Sequence, residues 1–356
     1  MKKGSMLIAI LAVIALLVTA CSPQHATQTT GDTAPAWANQ VVPLAQETTV
    51  KVGMKQVVSD AGILIGMAKG YYKDLGINIE PIQFNSGQEM INQLASGQLD
   101  VGAAVSTAGL FNAMSRDIPI KIVADKGVNV PGKGYYRLVL RKDLAKTIQD
   151  YADLRGLRIA IVGTASLDEL ALLRVLERAH LTNKDVDIQV IRSFPDMLVA
   201  LKNNSIDAAM LIEPFIAQGI ALEILDPWKD PVNYDPDAQT ALLLYGTSMS
   251  KRPEVANRFM LAYVKALRDY NDAFFAHKNK PEIVSILTKY SVIKDSALFD
   301  RMFPTGLNPN GYVRMKGIEM DLKWYKDNDL LQRDIKPEDA VDNRYVDFAL
   351  QQLGQY

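Results

Sequence analysis

The sequence predicts an α/β protein of two lobes, in which mostly parallel sheets carry helices on both faces. Strand-like and helix-like apolar patterns alternate along the chain with short connections, as they do where helices link parallel strands. The alternation also repeats at a constant offset of 107 residues, and a chain of 356 residues exceeds the usual size of one hydrophobic core. A duplicated pattern in a chain of this length predicts two equivalent lobes.

Each copy of the repeat opens with a βα unit. The strand-like VKVGMK at 51–56 aligns with RIAIVG at 158–163, and each is followed by a polar turn and an apolar helical run. The two helices are expected over about 61–72 and 167–179. The strand-like segments INIEPIQF and VDIQVIRSF follow them. Each copy is therefore predicted to begin with a strand, a helix and a second strand.

The closest match between the copies is INQLASGQLDVGAAVS at 91–106 against LVALKNNSIDAAMLIE at 198–213. In each, an amphipathic helix runs into a polar turn, an aspartate and a short buried strand of small residues. The two aspartates, Asp100 and Asp207, coincide at the same offset of 107. Several segments that share one offset favour a duplication over the general similarity of βα units.

The strand patterns divide the chain between the lobes. We expect lobe 1 to hold residues 48–137 and 246–356, and lobe 2 to hold residues 138–245. The chain should cross near 137–141 and return near 242–246, where apolar strands connect the two halves. A long amphipathic helix then begins at the Arg-Pro pair of RPEVANRFMLAYVKAL, because proline is tolerated in a first helical turn. The remaining C-terminal segments are predicted to be extra helices packed on lobe 1.

The N-terminal segment is predicted to export and tether the protein. Two lysines precede an apolar run over 6–20, which is short for a membrane-spanning helix. The next residue is Cys21, the only cysteine of the chain, and the sequence VTAC resembles the bacterial lipoprotein cleavage box. We expect residues 1–21 to be a lipoprotein signal peptide with Cys21 as the lipidation site; the alternative is an uncleaved anchor. Residues 22–47 are rich in small and polar residues and predict a flexible linker.

The composition excludes several classes of function. A net charge of −1 and the absence of a long basic run argue against nucleic acid as a partner. The histidines at 25, 180 and 277 are far apart and no second cysteine exists, so no metal site can be drawn from spacing. We therefore expect no metal and no cofactor. A cytosolic ligand-sensing regulator would need a DNA-binding segment before the lobes, and residues 22–47 show no helix-turn-helix pattern.

Four blocks of the sequence carry a family resemblance. They are GMAKGYYKDLGINIEPIQF, GQLDVGAAVSTAGLFNAM, DLRGLRIAIVGTAS and NNSIDAAMLIEPF, and the similarity extends from about Val50 to at least Tyr270. In this order and spacing they resemble the nitrate, sulfonate, taurine and thiamine-precursor class of ABC-transporter solute-binding proteins. The resemblance implies a type II periplasmic-binding fold with a two-strand hinge that closes on a small ligand. It also implies a monomer on the extracytoplasmic face of the membrane, which delivers its ligand to a permease with a cytoplasmic ATPase.

The ligand is expected in the cleft between the lobes, because open α/β sheets bind ligands beyond the carboxyl ends of their strands. Turns between a strand and a helix there can present hydroxyls and free backbone N–H groups to a ligand oxygen. The relatives that bind sulfonates imply such a role for the turn at 163–166. The candidate ligand-binding residues are Gln56, Ser59, Asp60, Asn85, Ser86, Ser106, Thr107, Asp125, Tyr135, Gly163, Thr164, Ser166, Phe194 and Glu213.

Several of these candidates have a purely structural alternative. Ser59 or Asp60 can cap the helix that follows, and Ser166 with Glu169 can form a capping box. Asp125 and Glu213 each end an apolar strand, so each is either paired with a cation or directed at the ligand. The aromatic candidates Tyr135 and Phe194 are distinguished from core residues by their position in polar loops near the cleft. A planar ligand ring would stack on them.

The charges predicted near the cleft favour a neutral or weakly basic ligand. Three acids (Asp60, Asp125 and Glu213) face only Lys55 and Lys126 as evident cations, and no arginine fork is visible. We therefore favour an aromatic heterocycle, such as a pyrimidine vitamin precursor or riboflavin. An alkanesulfonate, taurine or nitrate is the alternative, since helix N-termini can hold an anion without arginine.

An enzyme is the alternative of another class, because related two-lobed folds occur in a pyrimidine-precursor synthase. The sequence contains no Ser/His/Asp arrangement, no second cysteine, no metal cluster and no phosphate loop. Export with a lipid anchor also favours binding over catalysis. We expect a protein that captures its ligand by hinge closure and does not transform it.

Overall fold

The structure is a computed structural model that describes residues 33–84 and 87–356. The predicted signal peptide with Cys21, the first part of the linker, and the site candidates Asn85 and Ser86 lie outside the described residues. No helix of the described part is both long enough and apolar enough to span a membrane.

Strands and helices alternate from Thr48 to Tyr245, and every regular element that the structure describes after Tyr245 is a helix. In the described residues the strands are β1 (Thr48–Met54), β2 (Ile77–Gln83), β3 (Val101–Ala104), β4 (Lys121–Val128), β5 (Tyr136–Arg141), β6 (Arg158–Ile161), β7 (Asp187–Val190), β8 (Ala208–Ile212), β9 (Leu225–Pro227) and β10 (Gln239–Tyr245). The helices are α1 (Ala61–Ala68), α2 (Tyr71–Asp74), α3 (Gly87–Ser96), α4 (Ala108–Met114), α5 (Leu167–Glu177), α6 (Phe194–Lys202), α7 (Phe215–Ala221), α8 (Thr247–Ser250), α9 (Pro253–Phe275), α10 (Lys280–Tyr290), α11 (Met315–Asp327), α12 (Pro337–Ala340) and α13 (Arg344–Leu353).

Two five-stranded sheets of identical construction form the two lobes. Sheet 1 has the order β2-β1-β3-β10-β4 and sheet 2 the order β7-β6-β8-β5-β9. In each, the first three strands pair in parallel, and the fourth runs antiparallel to both of its neighbours. Four strands of each sheet therefore share one direction, with helices on both faces. This is the predicted two-lobed α/β fold, with mixed rather than purely parallel sheets.

Each antiparallel strand comes from the segment that has just crossed from the other lobe. The chain leaves sheet 1 after β4 and pairs in sheet 2 as β5; it leaves sheet 2 after β9 and returns to sheet 1 as β10. The crossings are thus residues 129–135 and 228–238, a few residues earlier than the apolar pattern suggested. That pattern marks a buried strand without showing which sheet it joins, whereas Pro131 and Gly132 mark the first connection itself.

The sequence repeat reappears as a repeated hydrogen bond. The Asp100 carboxylate accepts from the Lys51 backbone N–H at 2.8 Å, and the Asp207 carboxylate accepts from the Arg158 backbone N–H at 3.0 Å. Both bonds span 49 residues, and both connect a backbone N–H of one strand to the residue that precedes its parallel neighbour. Each aspartate therefore has the same structural role in its lobe.

Asp207 also provides a test of stability against pH. Hydrogen bonds from the backbone and guanidinium of Arg158, with a further one from Arg141, lower the pKa of Asp207 to about 2 from an ordinary value of 3.8. A depressed native pKa stabilises the fold above the unfolded pKa, and this stabilisation is lost as the pH falls through the native value. We expect Asp207→Asn to cost about 1–2 kcal/mol of unfolding free energy at pH 7 and less at pH 2.5. Denaturant melts at both values test this, and a cost that does not vary with pH would contradict it.

Part of the predicted linker is packed on lobe 1. Residues 36–38 form one turn of 3-10 helix that buries Ala38. Leu44 is also buried in the lobe 1 core, and its N–H donates to the carbonyl of Leu75 at 3.1 Å. Residues 36–44 therefore pack on the core in spite of their polar composition, because Ala38 and Leu44 are buried and one backbone hydrogen bond holds the segment.

The C-terminal helices contact both lobes. Helix α9 is buried against lobe 1, as predicted from its amphipathic pattern. Tyr325 of helix α11 lies in the hydrophobic core of lobe 1. Asp321 of the same helix forms an ion pair with Arg174 of α5 in lobe 2, at 2.8 Å. Arg174 also pairs with Asp235 of the second crossing, at 2.7 Å. All three charged side chains are buried, so this arginine connects lobe 2, the crossing and the C-terminal region.

Candidate functional site

A cavity of about 1000 Å³ lies between the lobes and is called the cleft below. This volume is at the upper end of the range for small-molecule sites. A narrow chamber of about 40 Å³ shares Lys55, Asp168 and Phe194 with the cleft and continues inward, where Tyr135 and Tyr136 line it. The site therefore has a broad outer part and an inner part with room for small groups only.

The cleft lies at the carboxyl ends of the parallel strands in both sheets. Lobe 1 contributes residues that follow β1, β2 and β3, and lobe 2 contributes residues that follow β6 and β7 and the end of β8. The lining residues are Lys55, Val57, Gln83, Phe84, Glu89, Val105, Thr107, Gly109, Val162, Gly163, Thr164, Ala165, Ser166, Asp168, Val190, Arg192, Ser193, Phe194, Pro195, Ile212, Phe215 and Val292. The location expected from sheet topology is thus a cavity formed by both lobes.

The structure brings seven of the candidate residues together around the cleft and chamber. They are Ser59, Thr107, Tyr135, Gly163, Thr164, Ser166 and Phe194. Five other candidates are not among the lining residues: Gln56, Asp60, Ser106, Asp125 and Glu213. These five are engaged in contacts within the protein.

Asp125 and Glu213 are satisfied by backbone N–H groups of the C-terminal segment. Asp125 is buried and accepts from Asn308 N at 2.7 Å, as well as from Gly127 N and the Gln239 amide. Glu213 is buried and accepts from Phe303 N at 3.0 Å and Ala217 N at 3.1 Å.

Burial raises the pKa of Asp125 to about 6 and that of Glu213 to about 7, although these hydrogen bonds act in the opposite direction. The two acids therefore hold the C-terminal segment in place. From sequence we considered a cation or the ligand as the partner of each acid; backbone N–H groups are a third kind of partner.

The other three candidates that do not line the cleft have partners within the protein. Asp60 pairs with Lys126 at 2.9 Å and accepts from Val57 N at 3.0 Å. Gln56 has a φ of 59°, and its carbonyl accepts from Val292 N at 2.8 Å. Ser106 is buried with its hydroxyl 3.2 Å from that of Tyr325. These contacts fix the loop geometry around the cleft.

Two backbone hydrogen bonds join the lobes beside the cleft. Ala108 N donates to Ala165 O, and Leu167 N donates to Ser106 O, both at 3.1 Å. The donors are the first residues of α4 and α5. These N–H groups were expected to be free for a ligand, and the structure pairs them with the facing loop instead. An anion at either helix start would have to compete with these bonds.

The hydroxyl candidates have mixed roles. Thr107 caps α4 by accepting from Leu110 N at 3.0 Å. Ser166 does not cap α5; its hydroxyl donates to Gly163 O at 2.9 Å and lies 3.3 Å from an oxygen of Asp168. Glu169 instead accepts from Ala165 N at 2.8 Å. The capping box considered as the structural alternative is therefore not formed, and the turn places the Ser166 hydroxyl beside Asp168.

Aromatic rings line the cleft from both sides. Phe194 and Phe215 of lobe 2 stack with their centroids 5.7 Å apart and their planes 26° apart. Phe84, at the end of β2, belongs to lobe 1. Phe84 and Phe215 were considered from sequence but not selected as ligand-binding residues, because an aromatic residue that ends an apolar segment has the same pattern as a core residue. A flat ring that entered the cleft would find apolar surface on both lobes.

The acids that line the cleft and chamber differ from those expected, whereas both expected lysines are present. The lining charges are Lys55, Lys126 and Arg192 against Glu89 and Asp168, and the three acids used in the sequence argument are not among them. Burial lowers the pKa of Lys55 and raises that of Asp168. Asp168 was missed because an acid in the first turn of a helix is usually explained by the helix dipole.

Comparison with known proteins identifies a family. A family model described as NMT1/THI5 like matches residues 58–272, which is more than half of the chain. Riboflavin-binding protein RibY of Chloroflexus aurantiacus is 24% identical over 263 residues, or 72% of this chain and 71% of RibY. A protein of Brachyspira hyodysenteriae, provisionally named as an ABC transporter periplasmic binding protein, is 28% identical over 189 residues, or 50% of this chain and 53% of its own length.

Solved structures share the fold at low sequence identity. The periplasmic nitrate-binding protein NrtA of Synechocystis PCC 6803 superposes with a TM-score of 0.69 at 18% identity, over 86% of this chain and 89% of NrtA. The alkanesulfonate-binding protein SsuA of Xanthomonas axonopodis pv. citri, bound to MOPS, gives 0.66 at 17%, over 84% and 100%. The desulfurization enzyme DSZB gives 0.62 at 16%, over 85% and 99%. The fold is the two-lobed fold of periplasmic binding proteins, and the chain belongs to the NMT1/THI5-like family.

Proposed function

We propose that this protein is the extracytoplasmic solute-binding component of an ABC importer, and that its ligand is an aromatic heterocycle, with riboflavin as the first candidate. The observation that carries the proposal is a cleft of about 1000 Å³ lined by aromatic side chains of both lobes. The name of the Brachyspira relative supports the transport class, and that of RibY supports the ligand.

The lining of the cleft suits a multi-ring ligand better than a small ion. Phe84 on one lobe and the Phe194 and Phe215 pair on the other offer apolar contact to both faces of a ring system. A good aromatic pair contributes about 1 kcal/mol beyond the burial of area. Nitrate or taurine would leave most of this surface in contact with water. A tricyclic flavin would cover it.

Ligand capture follows from hinge closure. The two crossings at 129–135 and 228–238 connect the lobes, and the ligand stabilises the closed form to the extent that it binds this form better than the open one. The closed protein would then present both lobes to a membrane permease that works with a cytoplasmic ATPase. A lipid on Cys21 would keep the protein at the membrane. Cys21→Ser should release the protein into the soluble fraction, and retention of this variant in the membrane would contradict the anchor.

A ligand screen on the chain from residue 22 tests the ligand. We expect riboflavin to raise the melting temperature and to lose fluorescence as its ring stacks on the protein, because a ligand that binds only the native state stabilises it. Affinities in the nanomolar to micromolar range correspond to about 8 to 12 kcal/mol. Titration calorimetry with riboflavin, thiamine-type pyrimidines, taurine, alkanesulfonates and nitrate gives the comparison. A response to sulfonates alone would overturn the heterocycle.

One observation favours the sulfonate or nitrate alternative. Among the residues that the structure describes, three cations and two carboxylates line the cleft and chamber, and Arg192 is exposed. An anionic ligand would gain from this excess of positive charge. The same screen decides between the two ligand classes, because the anions and the uncharged heterocycles are tested side by side.

The structural similarity to DSZB raises an enzymatic alternative. A binding protein returns its ligand unchanged, whereas an enzyme of the desulfurization kind would convert it. Mass spectrometry of each ligand recovered after long incubation separates the two. We expect unchanged mass for every ligand that raises the melting temperature.

A further inference from the structure

Two opposite charges from different lobes line both the cleft and the inner chamber. Lys55 follows β1 of lobe 1, and Asp168 is the second residue of α5 in lobe 2. Burial is the main influence on the pKa of both groups, and each charge opposes it in the other: Asp168 raises the pKa of Lys55, and Lys55 lowers that of Asp168. Within residues 33–84 and 87–356, their charged atoms form no ion pair with each other.

The Asp168 carboxylate is held in a fixed orientation. The Tyr136 hydroxyl donates to one of its oxygens at 2.8 Å, and the Ser166 hydroxyl lies 3.3 Å from the other. A carboxylate has about four acceptor positions, so each oxygen keeps capacity for one more donor. Because Asp168 lines the cleft, a ligand N–H could supply that donor.

Lys55 has capacity to donate. No hydrogen-bond acceptor contacts its ammonium group in the described part of the chain; the ring of Phe194 lies nearby, with its centroid 5.5 Å from the nitrogen. Lys126, the other lysine of the chamber, contrasts with it, because Lys126 donates to Ser59 at 2.6 Å and pairs with Asp60. Burial lowers the pKa of Lys55, as expected for a cation without a partner.

A ligand placed between these two groups needs an acceptor on one side and a donor on the other. An amide or imide edge, in which a carbonyl adjoins an N–H, supplies both on one rim of a flat ring. A sulfonate or nitrate supplies acceptors only and would bring negative charge toward Asp168. Phe194, beside Lys55, would contact the face of the same ring.

We propose that Lys55 and Asp168 form an interlobe pair that selects ligands with a carbonyl beside an N–H. The lysine donates to the carbonyl and the carboxylate accepts from the N–H. Isoalloxazine and pyrimidinedione rings carry this edge. The inference rests on the proposed function, of which it specifies the ligand class and the orientation in the cleft.

Two flavins test the pair on the wild-type protein. Riboflavin has a free N3–H between two carbonyls, and N3-methylriboflavin lacks this donor while it keeps the rings and the ribityl chain. We expect the methylated flavin to bind at least about tenfold more weakly in calorimetric titrations, because a buried carboxylate that loses its donor is costly. This comparison requires no variant.

Variants then assign the effect to the two residues. Asp168→Ala should weaken riboflavin binding about tenfold and remove the difference between the flavins. Lys55→Met should weaken both flavins by a similar factor, since both keep their carbonyls. Asp196→Ala is the matched control, because Asp196 is an exposed acid of lobe 2 that does not line the cleft; it should leave both affinities unchanged. Melting curves without ligand show whether each variant is folded.

The outcomes separate the inference from the proposed function. Equal binding of both flavins by the wild type would overturn the selection by Lys55 and Asp168 and leave a heterocycle importer standing. A difference between the flavins that persists in Asp168→Ala would also overturn it. Binding of sulfonates with no response to any heterocycle would overturn the proposed function, and this inference with it.

Discussion

Replacing Arg174 with methionine should destabilise the protein by about 3–5 kcal/mol, the typical cost of removing one partner from a buried ionic group. Arg174 is the partner of both Asp235 and Asp321, at 2.7 and 2.8 Å. Without it, two buried carboxylates remain without compensating charge. Methionine preserves most of the apolar stem, so the effect is due mainly to the lost charge. Denaturant unfolding followed by tryptophan fluorescence measures the cost.

The pH dependence of this variant has a defined sign. Burial already raises the pKa of Asp321 to about 6, and loss of the arginine raises it further. An acid whose native pKa is raised destabilises the fold as the pH rises through that range. We therefore expect Arg174→Met to recover part of its stability between pH 7 and pH 5. Addition of Asp235→Asn and Asp321→Asn should recover part of it at pH 7.

Arg178 provides the control for this experiment. It lies at the end of the same helix, one turn from Arg174, and is exposed. Arg178→Met should change the unfolding free energy by less than about 0.5 kcal/mol, as is usual for surface substitutions. Similar costs for the two variants would show that the three buried charges do not hold the lobes and the C-terminal region together as described.

The second large effect is expected on binding. Phe194→Ala removes a ring that lines both the cleft and the chamber and that stacks on Phe215 at 5.7 Å. Loss of stacking and apolar burial together should cost about 2 kcal/mol, or roughly a 30-fold rise in Kd for riboflavin. Phe194→Leu should fall between the wild type and the alanine variant, because leucine restores apolar area without a ring. Calorimetric titration gives all three values.

Val199 offers a matched control on the same helix. It is 56% exposed on α6 and does not line the cleft, so Val199→Ala should leave the Kd unchanged. A Kd for Phe194→Ala within twofold of the wild type would show that the ligand does not stack on this ring. The heterocycle would then need another surface in the cleft.

Local patterns were sufficient to predict the fold and the presence of a cleft between the lobes. The offset that relates Asp100 to Asp207 reflects a duplicated structure, and both aspartates accept a hydrogen bond from a backbone N–H of the neighbouring parallel strand. Strand ends followed by helices then locate the cleft, because the topology of open α/β sheets leaves few other positions. These inferences depend on contacts close in sequence or on rules that apply to the whole sheet.

The side chains that line the cleft were harder to predict, because their neighbours come from distant segments. Asp125 was correctly identified as buried, yet its partner Asn308 lies 183 residues away in a segment without periodic pattern. The same is true of Glu213 and Phe303, which are 90 residues apart. Conversely, Asp168 has an ordinary local role in a first helical turn, and only the fold places it opposite Lys55. Sequence patterns identify burial and turn chemistry, but not which buried acid has a backbone partner.

The exchange of strands between the lobes also determines the order in which they can fold. Sheet 2 is built from β5 to β9, which form one continuous stretch from 136 to 227. Sheet 1 needs β10 between β3 and β4, and its core also includes residues of α9 and α13. Lobe 2 can therefore complete its sheet while the C-terminal third of the chain is still unfolded. Lobe 1 can complete its sheet only when β10, which begins more than 110 residues after β4, inserts between β3 and β4. Closing so long a loop costs conformational entropy.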